Sequence, residues 1–75
     1  NSAPLEAMEA REILNRCMAN LTPDEQLILT MAEIEGRTSP EISELTGKAA
    51  GTIRVALHRA KQKLADNLTR LQESL

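Results

Sequence analysis

The chain has 75 residues, a formal net charge of −2 and no Phe, Tyr or Trp. That length holds one small domain, expected to span 1–75, which buries roughly 60–65% of its unfolded surface in a core of Leu, Ile, Met and Ala. Without aromatics there is no platform for stacking single-stranded bases. No apolar run approaches the ~20 residues of a membrane span, and no signal-peptide pattern is visible. Cys17 is the single cysteine, so no disulfide framework exists and a reducing, cytoplasmic setting is expected.

The elements follow in chain order. Leu5, Met8, Ile13, Leu14, Cys17 and Met18 recur at spacings of three and four between charged residues, which predicts an amphipathic helix over 5–19. Thr22-Pro23-Asp24-Glu25 is a strong start signal: a threonine cap, proline at the first helical position and a glutamate that closes a capping box. Leu27, Ile28, Met31 and Ile34 are the expected buried face of that second helix, and Gly36 its end. Ser39-Pro40-Glu41 repeats the start signal for a short third helix with Ile42 and Leu45 inward, stopped by Gly47. A long fourth helix is predicted from Ala50 to Glu73. Its stripe of Ile53, Leu57, Ala60, Leu64, Leu68, Leu71 and Leu75 outruns what two short helices cover, so its second half is expected to pack on the first helix. The fold class is therefore all-α, a four-helix domain with a helix-turn-helix, no β wing and a long C-terminal recognition helix.

Charge is segregated along this plan. Residues 48–65 contain Lys48, Arg54, Arg59, Lys61 and Lys63 and no acid, whereas residues 1–47 hold three bases and nine acids. A duplex is a dense line of negative charge, so only the basic helix can face it. A charged helix face is usually plain solvated surface, and glycine turns between helices are common. Here, however, a short third helix, a tight glycine turn and a sharply basic second helix coincide, as in a DNA-reading helix-turn-helix. Arg54, Val55, His58 and Arg59 are predicted to face outward at the start of that helix, where side chains reach base edges. Lys48, Lys61 and Lys63 are expected to be placed for phosphates, with Lys61 and Lys63 exposed. His58 has no second histidine for a metal site, and Cys17 lies on the apolar stripe of the first helix as a small core residue. Glu41 and Glu44 are an ordinary solvated pair, and nothing assembles an acid–base or nucleophilic site. No enzyme activity, cofactor or metal is expected.

Leu21-Thr22-Pro23-Asp24-Glu25, Glu33-Ile34-Glu35-Gly36, Glu41-Ile42-Ser43-Glu44-Leu45, Gly47, Gly51-Thr52-Ile53-Arg54 and Leu57-His58-Arg59-Ala60-Lys61-Gln62-Lys63-Leu64 together resemble region 4, the C-terminal domain of bacterial sigma factors. The likeness is greatest to the compact extracytoplasmic-function type and runs over roughly 21–66. It implies a fragment of a larger sigma factor that recognises the −35 promoter element in double-stranded DNA and docks on the β flap of RNA polymerase core. An anti-sigma factor is a further partner the family implies, and membrane insertion is not. Arg54, Val55, His58 and Arg59 match the family's base- and phosphate-contacting positions. Ala49, Ala50, Gly51 and Thr52 match the turn whose backbone abuts DNA.

Two positions depart from the family pattern. Ala49 stands where Ser or Pro is frequent and is a poor helix cap. Val55 and Ala56 stand where a small polar and a basic residue are common, so charge is lost. Two other readings share the helix pair. One is a LuxR-type response-regulator output domain, which ordinarily has one residue fewer between its second and third helices and a Lys-Leu-Gly stop. The other is a sigma-like module that binds an anti-sigma partner and no DNA.

Overall fold

The computed structural model describes residues 8–74. Among them four helices and no strand are present: α1 (Ala10–Cys17), α2 (Pro23–Leu29), α3 (Ser39–Thr46) and α4 (Ala50–Glu73). The part of the first helix expected over 5–7, including Leu5, and the last stripe residue, Leu75, lie outside the described residues. Within them α1 is shorter than 5–19 at both ends. Glu9 caps its start with no side-chain bond, and the chain leaves the helix at Met18.

The start of α2 forms as its sequence demands. The Thr22 hydroxyl accepts from the Glu25 N–H at 3.2 Å, and the Glu25 carboxylate accepts from the Thr22 N–H at 2.9 Å. α3 has the same reciprocal box, one residue earlier than expected. Thr38, not Ser39, is its cap, because only Thr38 stands three residues before Glu41.

α2 continues into a π-helical turn over Thr30–Ile34, where the Glu35 N–H reaches the Thr30 carbonyl five residues back at 3.1 Å. The wider turn shifts the side-chain register, and Ile34, expected inside, is 67% exposed. Leu27 also faces out, because the inner face of α2 is Glu25, Ile28 and Leu29, continued by Ala32 in the π turn. Gly36, in the left-handed region at φ 69°, releases the chain toward α3. In α3, Ile42 is fully buried as expected, but Leu45 is 56% exposed. The inner face there is Ser39, Ile42, Ser43 and Thr46.

Two apolar clusters make the core. Ile28, Ile42 and Ile53, from α2, α3 and α4, bury one another completely, with Met31, Ala32, Ala56 and Leu57 packed around them. Leu21, Leu29 and Ala60 form the second, flanked by Met18, Leu57 and Leu64. Leu57 belongs to both and joins them. The second half of α4 lies along α1, as its stripe predicts: Leu64 and Leu68 line an apolar groove with Ile13, Leu14 and Cys17. The Asn67 amide secures this packing by donating to the Cys17 carbonyl at 2.6 Å and to Asn20. Cys17 is buried, and loss of solvent pushes its thiol pKa up.

Ile42→Ala is expected to lower unfolding free energy by about 2–5 kcal/mol, since Ile28 and Ile53 would be left facing a void. Leu45→Ala, one turn away and more than half exposed, should change it by no more than about 0.5 kcal/mol. Urea midpoints of the two variants check the pair, and equal losses would contradict this packing.

Candidate nucleic-acid interface

The third and fourth helices are joined by three residues, 47–49. Gly47 ends α3 in the left-handed region at φ 77°, its N–H on the Ser43 carbonyl at 2.9 Å. The Ser43 hydroxyl donates to the Lys48 carbonyl, and the Lys48 N–H donates to the Thr46 hydroxyl at 3.3 Å. Thr46 in turn donates to the Ile42 carbonyl at 2.8 Å. The turn is thus closed by hydroxyls from the inner face of α3. Ala49 caps α4 with extended backbone and no side-chain bond, as its methyl requires, and its carbonyl takes the first helical bond from the Ile53 N–H at 3.0 Å.

At 3.6 residues per turn, Ile53, Leu57 and Ala60 point α4 into the core, and Val55 stands on the opposite side. Val55 is 52% exposed. Arg54 and His58 flank it along one edge, Thr52 and Arg59 along the other, all exposed. Ala49 and Gly51 are also exposed, while Lys48, Ala50 and Ala56 are half-buried at the margin. The Arg54 guanidinium folds toward the helix start, 4.0 Å from where a side chain on Gly51 would begin. The face expected from sequence is therefore assembled, with neutral residues along its centre and arginines on its rim.

The lysines behave differently. Lys48 pairs with Asp24 at 3.1 Å, Lys61 with Glu33 at 3.2 Å and Lys63 with Glu25 at 2.8 Å, so all three turn back onto α2 and its π turn. The first two pairs are open to water and are worth about 0–1 kcal/mol each, weak enough to exchange for a phosphate. Lys63 is not free in that sense. Its partner is a buried carboxylate, and the expectation of an exposed phosphate ligand is corrected here. The Lys63 hydrogen bond, followed by the Thr22 N–H, holds the Glu25 carboxyl below its ordinary pKa. Among the described residues, Arg54 and Arg59 have no acidic partner within ion-pair distance.

Comparison with protein families matches residues 11–64 to Sigma-70, region 4. The chain belongs to the sigma-70 region 4 family. Searches of curated proteins and of solved structures return no match. A region 4 domain is a sigma factor's DNA-binding, promoter-recognising part and belongs to no catalytic family; its partners are DNA and RNA polymerase. No cluster of His, Cys, Asp or Glu that could hold a metal exists among the described residues, and no described helix is long and apolar enough to cross a membrane.

Sequence reasoning missed two parts of the region 4 helix pair. Ser43 closes the turn, and only its place on the inner face of a short helix could have signalled it. Gln62 is exposed and lies two turns beyond Val55 on the same side of α4. Its spacing of seven from Val55 was the available signal.

Ala49→Ser is expected to stabilise the region 4 domain by about 0.5–2 kcal/mol, by giving α4 the oxygen its start lacks. An unmoved thermal midpoint would mean the first turn already has its acceptors. The depressed carboxyls add a pH dependence. Glu25 is lowered mainly by Lys63, and Glu41 mainly by the Thr38 N–H, from an ordinary value of 4.5. Their contribution is whole above that value and drains as pH falls through the folded pKa. Thermal midpoints should therefore hold steady from neutrality to about pH 5 and decline below about 4.5, and Glu25→Gln should make that decline shallower.

Proposed function

We propose that this region 4 domain recognises the −35 promoter element by laying the first two turns of α4 in the major groove. It does so as one domain of a larger sigma factor of the extracytoplasmic-function type, docked on the β flap of RNA polymerase. One observation carries the reading: over residues 50–63 the side of α4 opposite the isoleucine core is exposed, free of acids and rimmed by Arg54 and Arg59, which have no acidic partner among the described residues. Arg54 offers a guanine a two-pronged donor, and His58 and Arg59 lie within reach of adjacent bases or phosphates. Lys48 and Lys61 exchange the carboxylates of Asp24 and Glu33 for phosphates as the duplex arrives. Ala49, Ala50, Gly51 and Thr52 present backbone close to the sugar-phosphate strand, and small side chains there permit the approach.

A second surface suits a protein partner. Leu14, Met18, Leu29, Ile34, Leu64 and Leu68 line an apolar groove between α1, the π turn and the C-terminal half of α4. Lys61 and Glu33 stand at its edge, so it borders the phosphate-facing flank of α4, and it supports docking on polymerase or capture by an anti-sigma factor.

Salt titration tests the DNA reading. With Arg59, Lys48 and Lys61 on phosphates and Arg54 on a base, log affinity against log salt should fall with a slope of about −2.7, from about −0.9 per neutralised phosphate. Lys61→Glu should make the slope shallower by about 1 and leave the fold intact. Lys63→Glu, by contrast, sets a second carboxylate against Glu25 and should destabilise the domain. Arg54→Ala should remove about 1–3 kcal/mol from binding to a preferred sequence and less from a scrambled one. Should no duplex bind in a salt-dependent way at low ionic strength, the protein-only module takes the place of the promoter reader.

A further inference from the structure

Val55 is the least explained residue on the reading face. It is a branched apolar side chain, 52% exposed, at the point of α4 farthest from the core. Among the described residues it joins neither apolar cluster. Thr52, Val55, Ala56 and Arg59 follow the spacing that puts helical residues on one face, and with Gly51 they line a shallow open depression. Its lining is more apolar than polar, with methyls from Thr52, Val55 and Ala56, and the absent side chain of Gly51 leaves room at one end, where the Arg54 guanidinium comes to 4.0 Å from a Cβ position. Arg59 closes one rim, and Arg54 stands across Val55 on the other. A surface built only for phosphate would carry a cation or hydroxyl at the centre, where this one carries an isopropyl group.

Among the base edges of the major groove only thymine offers an apolar group, its C5-methyl. We infer that Val55, with the methyls of Thr52 and Ala56, is the seat for one thymine C5-methyl, set beside the base pair read by Arg54. The inference rests on the proposed promoter reading and gives it a chemical preference: a thymine adjoining a guanine, the first chosen by shape and water release, the second by hydrogen bonds. Valine and alanine at these positions do not then merely subtract charge; they exchange a phosphate-type contact for a base-selective one.

The chain itself is used to enrich duplexes from a random library, and each thymine of the preferred sequence is replaced in turn by deoxyuridine. That change deletes one methyl and keeps the pairing. One thymine, next to the pair whose preference Arg54→Ala abolishes, should weaken binding about fourfold when demethylated, the equivalent of ~0.8 kcal/mol for one buried methyl. Val55→Ala, whose folding is checked by thermal melting, should bind the thymine and deoxyuridine duplexes alike. With cytosine placed at that position, 5-methylcytosine should recover the same factor for the parent chain and none for Val55→Ala. If a preferred sequence emerges but no single thymine is sensitive, or if the sensitivity survives in Val55→Ala, the methyl seat is wrong while promoter reading stands. If no sequence is enriched and no salt-dependent binding is seen, both fall.

Discussion

The mutual burial of Ile28, Ile42 and Ile53 is the constraint on which the rest depends. Each comes from a different helix, and each is the only fully buried large side chain its helix contributes. A domain this small has little else to fix the angle between α3 and α4, because α3 offers the core one isoleucine and three hydroxyl side chains. The reading face of α4 is defined by where Ile53 points, and Val55, Arg54 and His58 take their directions from that choice. A small error in this packing would rotate the whole face relative to a duplex. Leu57 carries the constraint into the second cluster, and Asn67 extends it to α1.

Much of the architecture was legible because the signals were local. Thr22 to Glu25 announced a helix start within four residues, and Gly47 announced a stop. The length of α4 followed from a stripe too long for anything but a single helix. What could not be read were the faces of the two shorter helices. Periodicity assumes 3.6 residues per turn, and the π turn over Thr30–Ile34 breaks that assumption within the window used, so Ile34 was placed inside. Glu25 sits where an apolar residue is expected, which disguised the true face of α2 and hid Leu29 from view. Its burial depends on Lys63, thirty-eight positions along the chain, and no local pattern reports such a partner. In α3 the inward hydroxyls of Ser43 and Thr46 are satisfied by backbone carbonyls, so an apolar stripe never forms.

The interface shows the same division. Its outward side chains were legible from one anchored residue, Ile53, and the helical repeat. The engagement of the lysines was not, since it needs the fold of α2 across α4. This changes the physical picture of the basic segment. Its formal excess of cations is partly spent inside the domain: Lys63 is committed to a buried carboxylate, and Lys48 and Lys61 are shared with exposed acids. Only the two arginines stand wholly toward the solvent side. In the proposed reading, phosphate competes with the carboxylates of Asp24 and Glu33 for Lys48 and Lys61, and the duplex gains the difference between two contacts, not a full new contact.

That competition bears on how such a domain can be selective with few charges. Sequence-independent attraction grows with each cation brought to the backbone, and it tightens the hold on every sequence equally. In the proposed reading, a face with two arginines lacking acidic partners among the described residues, two borrowed lysines and an apolar centre keeps that common term small. Base-dependent contacts then form a larger fraction of the total, so discrimination per unit of affinity rises even as affinity falls. Weak binding is tolerable where a partner supplies proximity, because tethering raises the effective concentration of DNA without altering the ratio between sequences. Membership in a family that works with RNA polymerase provides that partner. The neutral centre of α4 and the apolar groove along α1 are in this view complementary features, one lowering indiscriminate attraction and the other restoring occupancy through a protein contact.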